Sequence, residues 1–302
     1  MQFKLISASN DNTIKIWNEN SVEKTLIGHS DCVKSFQLIE NKNLLVSVSK
    51  DKTIKVWSIE TGNCLFTLKG HTDWINCIEC LNEHTIVTGS DDKTIKIWNI
   101  NTLECEQTLL GHSAFILCLK IIQKLIIISS SLDGTIKIWS NSDNNVYNCI
   151  KTIRINKDWI TCLELLDNNR FLCGSYNGNL VIWSSETFNP INNLNNNDDD
   201  DNNDESIKCM HYCINNNLLA CLKSNTIIQI WNLNNYKCIN TIIQDEQVEC
   251  LHLINDSLLA IGYLNNKLIK IWNIKDNTGN QCVNTLFGHD NSIRKIETVN
   301  IS

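Results

Sequence analysis

Arginine and proline are both scarce in this chain. Of its 302 residues, only Arg154, Arg170 and Arg294 are arginine, and only Pro190 is proline. Arginine usually carries the planar, two-point recognition of phosphate or carboxylate, and the formal net charge here is −7. An acidic chain with few arginines argues against a nucleic-acid or anionic-membrane binder, which normally displays a basic surface.

Sequence signatures of catalysis are also lacking. The chain has no Gly-rich phosphate loop, no G-x-S-x-G nucleophile elbow and no cluster of metal-ligating residues. Cys77 and Cys80 have the C-x-x-C spacing of zinc ligands, but residues i and i+3 of a strand point to opposite faces. The sequence therefore predicts no enzyme, no metal site and no cofactor.

No hydrophobic run is long enough to predict a membrane span. The longest apolar region, residues 115–129, is interrupted by Lys120, Gln123 and Lys124. A transmembrane helix needs about 20 mostly apolar residues. We expect two strands in this region.

Cysteine, by contrast, is abundant, with fifteen residues. No signal peptide opens the sequence, so we do not expect the disulfide framework of a small secreted protein. Most of the cysteines recur at two equivalent repeat positions: Cys77, Cys118, Cys162, Cys209 and Cys250 at one, and Cys64, Cys149, Cys238 and Cys282 at the other. We interpret both sets as small buried hydrophobic residues in a reducing compartment. We expect a cytoplasmic protein, with the nucleus as the alternative.

A segment close to TIKIW recurs seven times. It ends at Trp17, Trp57, Trp98, Trp139, Trp183, Trp231 and Trp272, which lie about 40 to 48 residues apart, near the roughly 40 to 45 residues of a four-stranded propeller blade. Alternation along residues 94–97 predicts a strand with one buried and one wetter face. In the unit that begins at Gly70 and His71, we predict strands at 74–80, 85–90, 94–98 and 105–109, with a tight turn at 91–93.

These units resemble WD40 repeats over essentially all 302 residues, although Asn or Ser follows each blade tryptophan and the Trp-Asp dipeptide is missing. The resemblance implies an all-β, seven-bladed WD40 β-propeller that forms a single domain over residues 1–302. The chain begins in mid-repeat and ends after one further strand, at 292–298. We therefore expect this C-terminal strand to pair with the N-terminal partial blade and close the ring, which protects the sheet edges.

One low-complexity run interrupts the repeats. Residues 192–205 read NNLNNNDDDDNNDE, which is too polar to pack in a core. We expect a disordered Asn/Asp-rich loop here. The alternative is an acidic arm that contacts a basic partner.

The stretch GSDDKTIKIWN, residues 89–99, contains two adjacent acids whose role must be assigned. In the WD40 family, a hydrogen-bonded tetrad joins the Gly-His histidine, a second-strand Ser or Thr, the turn Asp and the blade Trp. The resemblance implies four tetrads, which are His29, Ser47, Asp51 and Trp57; His71, Thr88, Asp92 and Trp98; His112, Ser129, Asp133 and Trp139; and His289, Ser7, Asp11 and Trp17. An arrangement repeated four times is poorly explained as an active site, so we interpret these residues as structural and predict no catalytic residue.

Three blades depart from the tetrad pattern. Asn177, Asn225 and Asn266 replace the turn Asp, Asn156 stands where a histidine is expected, and the last two of these blades have no matching histidine. Their tetrads cannot be charged. We predict that these blades are less stable than the others.

The resemblance also implies partner contacts at three positions in each blade: three and five residues after the histidine, and just before the turn Asp. The positions of interest are Trp74, Asn76 and Asp91; Phe115, Leu117 and Leu132; and Trp159, Thr161 and Tyr176. Exposed aromatic side chains are favoured as interface anchors. The alternative is that these rings cap the core where the strands begin.

The sequence therefore favours a non-catalytic scaffold that binds a peptide or protein partner through the face carrying the Gly-His loops. We expect a monomeric ring within a larger complex, binding neither nucleic acid nor membrane. The alternative is a substrate-recognition or histone-peptide reader subunit of a larger assembly, such as a ubiquitin ligase or a chromatin complex. In that case acidic residues such as Asp91 and Glu249 would meet a lysine or arginine of the partner.

Overall fold

The strands form seven four-stranded sheets. The structure is a computed structural model that describes residues 3–141, 146–155, 158–194, 206–275 and 280–300. The fold is an all-β, seven-bladed propeller, as the sequence predicted. Among these residues no helix is both long and apolar enough to cross a membrane.

Each blade contains one of the seven repeated tryptophans in its third strand. The Trp17 blade combines β1 (Phe3–Ser9), β2 (Thr13–Asn18), β3 (Ser21–Ile27) and β28 (Ile293–Asn300). The Trp57 blade contains β4 (Val33–Ile39), β5 (Leu44–Ser49), β6 (Thr53–Ser58) and β7 (Cys64–Lys69). The Trp98 blade contains β8 (Ile75–Cys80), β9 (Thr85–Ser90), β10 (Ile95–Asn99) and β11 (Glu104–Leu109).

The remaining four blades follow the same order. The Trp139 blade contains β12 (Ile116–Ile122), β13 (Ile126–Ser131), β14 (Thr135–Asn141) and β15 (Tyr147–Arg154). The Trp183 blade contains β16 (Ile160–Leu165), β17 (Arg170–Ser175), β18 (Leu180–Ser184) and β19 (Pro190–Asn193). The Trp231 blade contains β20 (Ile207–Cys213), β21 (Leu218–Lys223), β22 (Ile227–Asn232) and β23 (Lys237–Ile243). The Trp272 blade contains β24 (Val248–Leu253), β25 (Leu258–Tyr263), β26 (Ile269–Asn273) and β27 (Gln281–Leu286).

The chain divides into two compact units. Unit 1 comprises residues 1–9, 15–24 and 164–302, and unit 2 comprises residues 10–14 and 25–163. In unit 2, one hydrophobic cluster joins β5 and β6 to β8, and includes Val46, Ile54 and Ile78. In unit 1, another joins β24 to β28, and includes Cys250, Ile293 and Ile296. The core of each unit therefore lies between the faces of successive sheets.

The repeated TIKIW segment forms a strand because its alternation matches the pleat. In β6, Ile54 and Val56 are buried, whereas Thr53 and Lys55 on the other face are half-buried. Trp57 follows and is fully buried. One buried face and one wetter face is the pattern of a strand packed on a single core.

The C-terminal strand completes the sheet of the N-terminal partial blade. β28 pairs antiparallel with β1, in a register that places Phe3 opposite Asn300 and Ser7 opposite Ile296. The predicted closure is therefore confirmed. Its strand begins and ends within two residues of the predicted bounds.

The two cysteine positions differ in burial. Cys77, Cys162 and Cys250 on the first strands are buried, while Cys118 and Cys209 are half-buried. At the second position the prediction of burial is wrong, because Cys64, Cys149 and Cys238 are exposed and Cys282 is half-buried. These four lie on fourth strands, each of which pairs with a single neighbour in its sheet. Each is aligned with the blade tryptophan at a β-bulge, as Cys64 is with Trp57.

The predicted start of the Asn/Asp-rich loop, at residue 192, is also wrong, because the strand before it extends further. Asn192 and Asn193 belong to β19 and pair with Ile182 and Val181. Leu194 is buried, and its N–H donates to the carbonyl oxygen of Leu180 at 2.9 Å. Residues 195–205 lie outside the described residues.

Candidate functional site

The four residues assigned to the Trp98 blade form one hydrogen-bonded chain. The indole Nε1 of Trp98 donates to Thr88 Oγ1 at 2.8 Å. Thr88 Oγ1 lies 2.8 Å from His71 Nε2, and His71 Nδ1 lies 2.7 Å from Asp92 Oδ2. Because an indole can only donate, the threonine hydroxyl keeps its own hydrogen for His71 Nε2, and His71 Nδ1–H then donates to Asp92.

The same chain recurs in the Trp57 and Trp139 blades. Ser47 accepts from Trp57 Nε1 at 2.8 Å and contacts His29 Nε2 at 2.7 Å, and His29 Nδ1 lies 2.7 Å from Asp51. In the Trp139 blade, the links join Trp139 to Ser129 at 2.9 Å, Ser129 to His112 at 2.7 Å, and His112 to Asp133 at 2.8 Å.

The Trp17 blade links the two ends of the chain through the hydroxyl of Ser7. Ser7 Oγ lies 2.7 Å from His289 Nε2 and accepts from Trp17 Nε1 at 2.7 Å. Asp11 accepts hydrogen bonds from the N–H and the hydroxyl of Thr13, at 2.9 and 2.6 Å.

The turn carboxylates are saturated with donors. Asp92 accepts from His71 Nδ1, from the hydroxyl and N–H of Thr94 at 2.6 and 2.9 Å, and from the N–H of Thr72 at 3.0 Å. Burial alone would raise the pKa of Asp92, but the hydrogen bonds from His71 and Thr94 outweigh it and hold the pKa well below its usual range. A fully ionised carboxylate whose lone pairs are occupied is suited to stabilising the fold, not to transferring a proton.

In the Trp183 and Trp231 blades, a cysteine stands at the second-strand position that holds Ser or Thr in the tetrads. In the Trp183 blade, Cys173 occupies the second-strand position, and Trp183 Nε1 donates to its Sγ at 3.1 Å. The indole N–H of Trp231 is buried and has no acceptor within the described part of the chain. Asn156, the predicted substitute for the histidine, lies outside that part.

The Trp272 blade contains a substitution that the sequence analysis missed. Gln244 stands four residues before β24, where the histidine stands in the four tetrad blades, and it is buried. It accepts a hydrogen bond from the hydroxyl of Tyr263 at 2.5 Å. The spacing to the first strand was the signal that could have identified Gln244.

The predicted partner-contact residues of the Trp98 blade surround Asn76. Its Nδ2 donates to Asp91 Oδ1 at 2.6 Å and to the carbonyl oxygen of Ile116 at 2.9 Å. The N–H of Asp91 donates to the carbonyl oxygen of Trp74 at 2.9 Å. Both amide hydrogens of Asn76 are therefore used to hold Asp91 and the next blade in place.

Asp91 differs from its neighbour Asp92 in its electrostatics. Burial raises the pKa of Asp91, with Asp73 adding to the shift and the Asn76 hydrogen bond, Lys34 and Lys50 opposing it. No histidine hydrogen-bonds to it among the described residues. The two adjacent acids thus lie in different environments: Asp92 is bound to a histidine in the tetrad, and the half-buried Asp91 is bound to Asn76.

The aromatic side chains at the predicted positions are exposed. Trp74 is 40% exposed, Phe115 41% and Trp159 47%, all within unit 2. Leu117 and Leu132 are half-buried, and the N–H of Leu132 donates to the carbonyl oxygen of Phe115 at 3.1 Å. We call these residues, with Asn76 and Asp91, the rim of unit 2.

Two further contacts involve aromatic residues at the predicted positions. Lys50 Nζ lies 4.0 Å from the ring centre of Trp74, a cation–π distance. Tyr176 belongs to unit 1; its side chain is 38% exposed, and Lys208 Nζ lies 5.9 Å from its ring centre. The rings are thus partly exposed and partly packed where their first strands begin.

Within the residues that the structure describes, no group of three or more His, Cys, Asp or Glu side chains could hold a metal ion. The chemistry available at the rim is therefore apolar and aromatic contact with a few polar groups beside it. That composition is typical of a protein-binding surface.

Comparison with known proteins identifies the class. Residues 2–18, 20–58, 62–99, 103–140 and 147–184 match the WD domain, G-beta repeat, which is the WD40 family, and together they cover more than half of the chain. The protein belongs to the WD40-repeat family, whose members are typically non-catalytic and generally bind other proteins. Residues 181–256 also match the WD40 domain of anaphase-promoting complex subunit 4.

Similarity to individual proteins is local. The chain is 46% identical over 82 residues to nuclear distribution protein PAC1 of Yarrowia lipolytica, which is 26% of this chain and 19% of that protein. It is 35% identical over 74 residues to nuclear distribution protein nudF 1 of Talaromyces marneffei, which is 24% of this chain and 16% of the relative. The chain thus aligns with less than a fifth of the length of either relative.

Proposed function

We propose that this protein is a non-catalytic scaffold that binds a protein or peptide partner through the rim of unit 2. The observation that carries the proposal is the exposure of Trp74, Phe115 and Trp159 at one repeat position in three successive blades. Large aromatic side chains supply much of the binding energy at interfaces, because they bury a large apolar area and lose little conformational entropy.

The tetrads support the same proposal. Their histidines and carboxylates are buried and hydrogen-bonded to one another, as His71 is to Asp92, so they are not presented to a substrate. The chemistry left at the surface is that of recognition. The aligned segments of the nuclear distribution proteins are about two repeats long, so the proposal rests on the rim and not on those relatives.

A second candidate is a recognition subunit within a larger complex. The match to a domain of anaphase-promoting complex subunit 4, which is by its name a subunit of a complex, favours this candidate. Glu249 is a poor reader of a partner's cation, since its carboxylate already pairs with Arg294. Asp91 is the better acidic contact for a lysine or arginine.

The test is a triple alanine variant of Trp74, Phe115 and Trp159, compared with the wild type by affinity capture from native cells and quantitative mass spectrometry. We expect the specific partners to be lost, since each interface hot spot contributes about 2 kcal/mol or more. The matched control is Phe66→Ala, because Phe66 is an aromatic residue of similar exposure in unit 2 that lies outside the rim.

The melting temperature separates binding from folding. Surface substitutions usually change stability by no more than about 0.5 kcal/mol each, and loss of the Lys50 contact with Trp74 adds about 0.5 to 1 kcal/mol. The triple variant should therefore stay folded and melt only a few degrees below the wild type. Capture of an unchanged set of partners would reject the rim as the binding surface. Unfolding of the variant would show instead that the three rings are part of the core.

A further inference from the structure

The first strands of unit 1 carry a polar side chain at one shared repeat position, occupied by Glu164, His211, His252 and Glu297. Three of these side chains accept the backbone N–H of the next first strand. Glu164 accepts from Tyr212 at 3.3 Å, His211 Nδ1 from Leu253 at 3.1 Å, and His252 Nε2 from Thr298 at 3.1 Å. The last of these bonds holds β28, the strand that closes the propeller.

The two histidines lie against each other. Their ring centres are 4.1 Å apart, and His252 is buried. Because Nε2 of His252 accepts the Thr298 N–H, the neutral ring carries its hydrogen on Nδ1. His252 Nε2 also lies 2.9 Å from Thr298 Oγ1. A second proton, on Nε2, would point N–H at N–H and remove the bond from the Thr298 N–H, which leaves the Thr298 hydroxyl as the only acceptor of the two. Protonation of His211 at Nδ1 would do the same to its bond with Leu253.

The Thr298 hydroxyl and the Glu297 carboxylate are the groups that would compensate for a charge on the ring of His252. His211 on β20 and Lys295 and Glu297 on β28 are the ionisable groups that act on His252. Ala260 of β25 lies opposite His252. Glu249 lies on the same strand as His252, but its carboxylate already pairs with Arg294. The Glu297 carboxylate lies 3.2 Å from the Lys295 ammonium.

Space around β24 is also limited. A Cβ at Gly262 of β25 would lie 2.6 Å from Cys250 Sγ and 2.8 Å from Ile293 Cβ. Strands β24, β25 and β28 therefore pack tightly where Gly262 faces Cys250 and Ile293.

We propose that His211 and His252 form a pH-dependent latch that holds β28 to β24 when both rings are neutral and weakens this attachment when they become protonated. The latch is independent of the partner-binding rim, which belongs to the other unit. Its effect is on the stability of the closing strand.

The sign of the effect follows from burial. Burial lowers the pKa of His252 well below its usual range, the positive charges of His211 and Lys295 lower it further, and Glu297 opposes them. The opened strand exposes a histidine with an ordinary pKa of about 6.5. The stabilisation is therefore complete above about pH 6.5 and declines as the pH falls below it, because the opened state then binds more protons.

The test is hydrogen exchange of the Thr298 amide in the full chain between pH 7.5 and 5, expressed as protection relative to the intrinsic rate. Because His252 gains its proton on opening, protection should fall by about tenfold per pH unit below about 6.5. In His252→Gln the amide oxygen replaces the Nε2 acceptor and cannot titrate, so the pH dependence should weaken or vanish. The matched control, His84→Gln, removes an exposed histidine outside the latch and should behave as the wild type.

The amides of β8 in unit 2 provide the internal reference. A pH dependence of Thr298 protection no steeper than that of β8, or an unchanged dependence in His252→Gln, would overturn the proposal. If His252→Gln does not fold, nitrogen NMR of the wild-type ring decides. Protonation of His252 without loss of Thr298 protection would reject the latch, and loss of protection in step with protonation would support it.

Discussion

Replacing aspartate with asparagine should destabilise the protein at Asp92 and have little effect at the adjacent Asp91. Asn in place of Asp92 keeps one oxygen for the two donors of Thr94, but it turns an amide N–H toward His71 Nδ1 and the Thr72 N–H. Two hydrogen bonds to a charged acceptor are thereby lost, each of which contributes about 1.5 to 3 kcal/mol. Because His71 can change tautomer, we take the lower end and expect Asp92→Asn to cost about 3 kcal/mol.

The matched variant is Asp91→Asn. Asp91 accepts a side-chain hydrogen bond from Asn76, which an amide oxygen can also accept. Burial disfavours the charge of Asp91 and raises its pKa, so removing that charge should change stability by no more than about 0.5 kcal/mol.

Thermal unfolding at pH 7 tests the pair. About 3 kcal/mol should lower the melting temperature of Asp92→Asn by roughly 6 to 12 °C, with little change for Asp91→Asn. Since the folded-state pKa of Asp92 is lowered, its stabilisation is complete above the unfolded value of about 3.9 and is lost as the pH falls through the folded value. The difference in melting temperature between Asp92→Asn and the wild type should therefore shrink below about pH 4. Equal melting temperatures for the two variants at pH 7 would refute the structural role of the tetrad carboxylate.

Two further predictions concern thiols and local stability. The exposed cysteines should react with iodoacetamide in the native protein; they are Cys64, Cys105, Cys149 and Cys238. Cys221 should not react, because burial raises its pKa to about 12. Peptide mass spectrometry after brief labelling measures both rates, and equal rates for the two classes would contradict the prediction. The blades of Trp183, Trp231 and Trp272 should exchange amide hydrogens faster than those of Trp57, Trp98 and Trp139, because their tetrads lack the charged acid. Uniform protection from hydrogen exchange among these six blades would contradict this prediction.

Repetition explains why so much of the fold could be predicted. Each blade must bury one face of its third strand, so the TIKIW alternation recurs, and its position predicts the three strands around it. The second strand of the Trp98 blade was predicted with its observed bounds, Thr85–Ser90. Pairing of β28 with β1 followed from the incomplete repeats at the two ends.

Burial on the fourth strands could not be read from repetition. A shared repeat position shows that Cys64 and Cys238 have equivalent environments, but it does not show whether those environments are dry. The β-bulge beside the blade tryptophan and the single neighbouring strand decide that, and both depend on sheet register. The pairing of Gln244 with Tyr263 was missed for a different reason: Gln244 occupies the histidine position of the tetrad, but Tyr263 lies outside the tetrad pattern.

The bond between Ser7 and His289 also has a consequence for how the protein folds. These residues are separated by 282 positions, and closing a loop of that length costs about 5 kcal/mol of chain entropy before any constant contribution. No local contact can offset that cost early, so the Trp17 blade should assemble last. On the ribosome, β1 to β3 must wait for β28 to emerge, with the edge of β1 unpaired throughout synthesis. That waiting period is when the nascent chain is most exposed to mispairing with another strand, and it is where a chaperone would have the greatest effect.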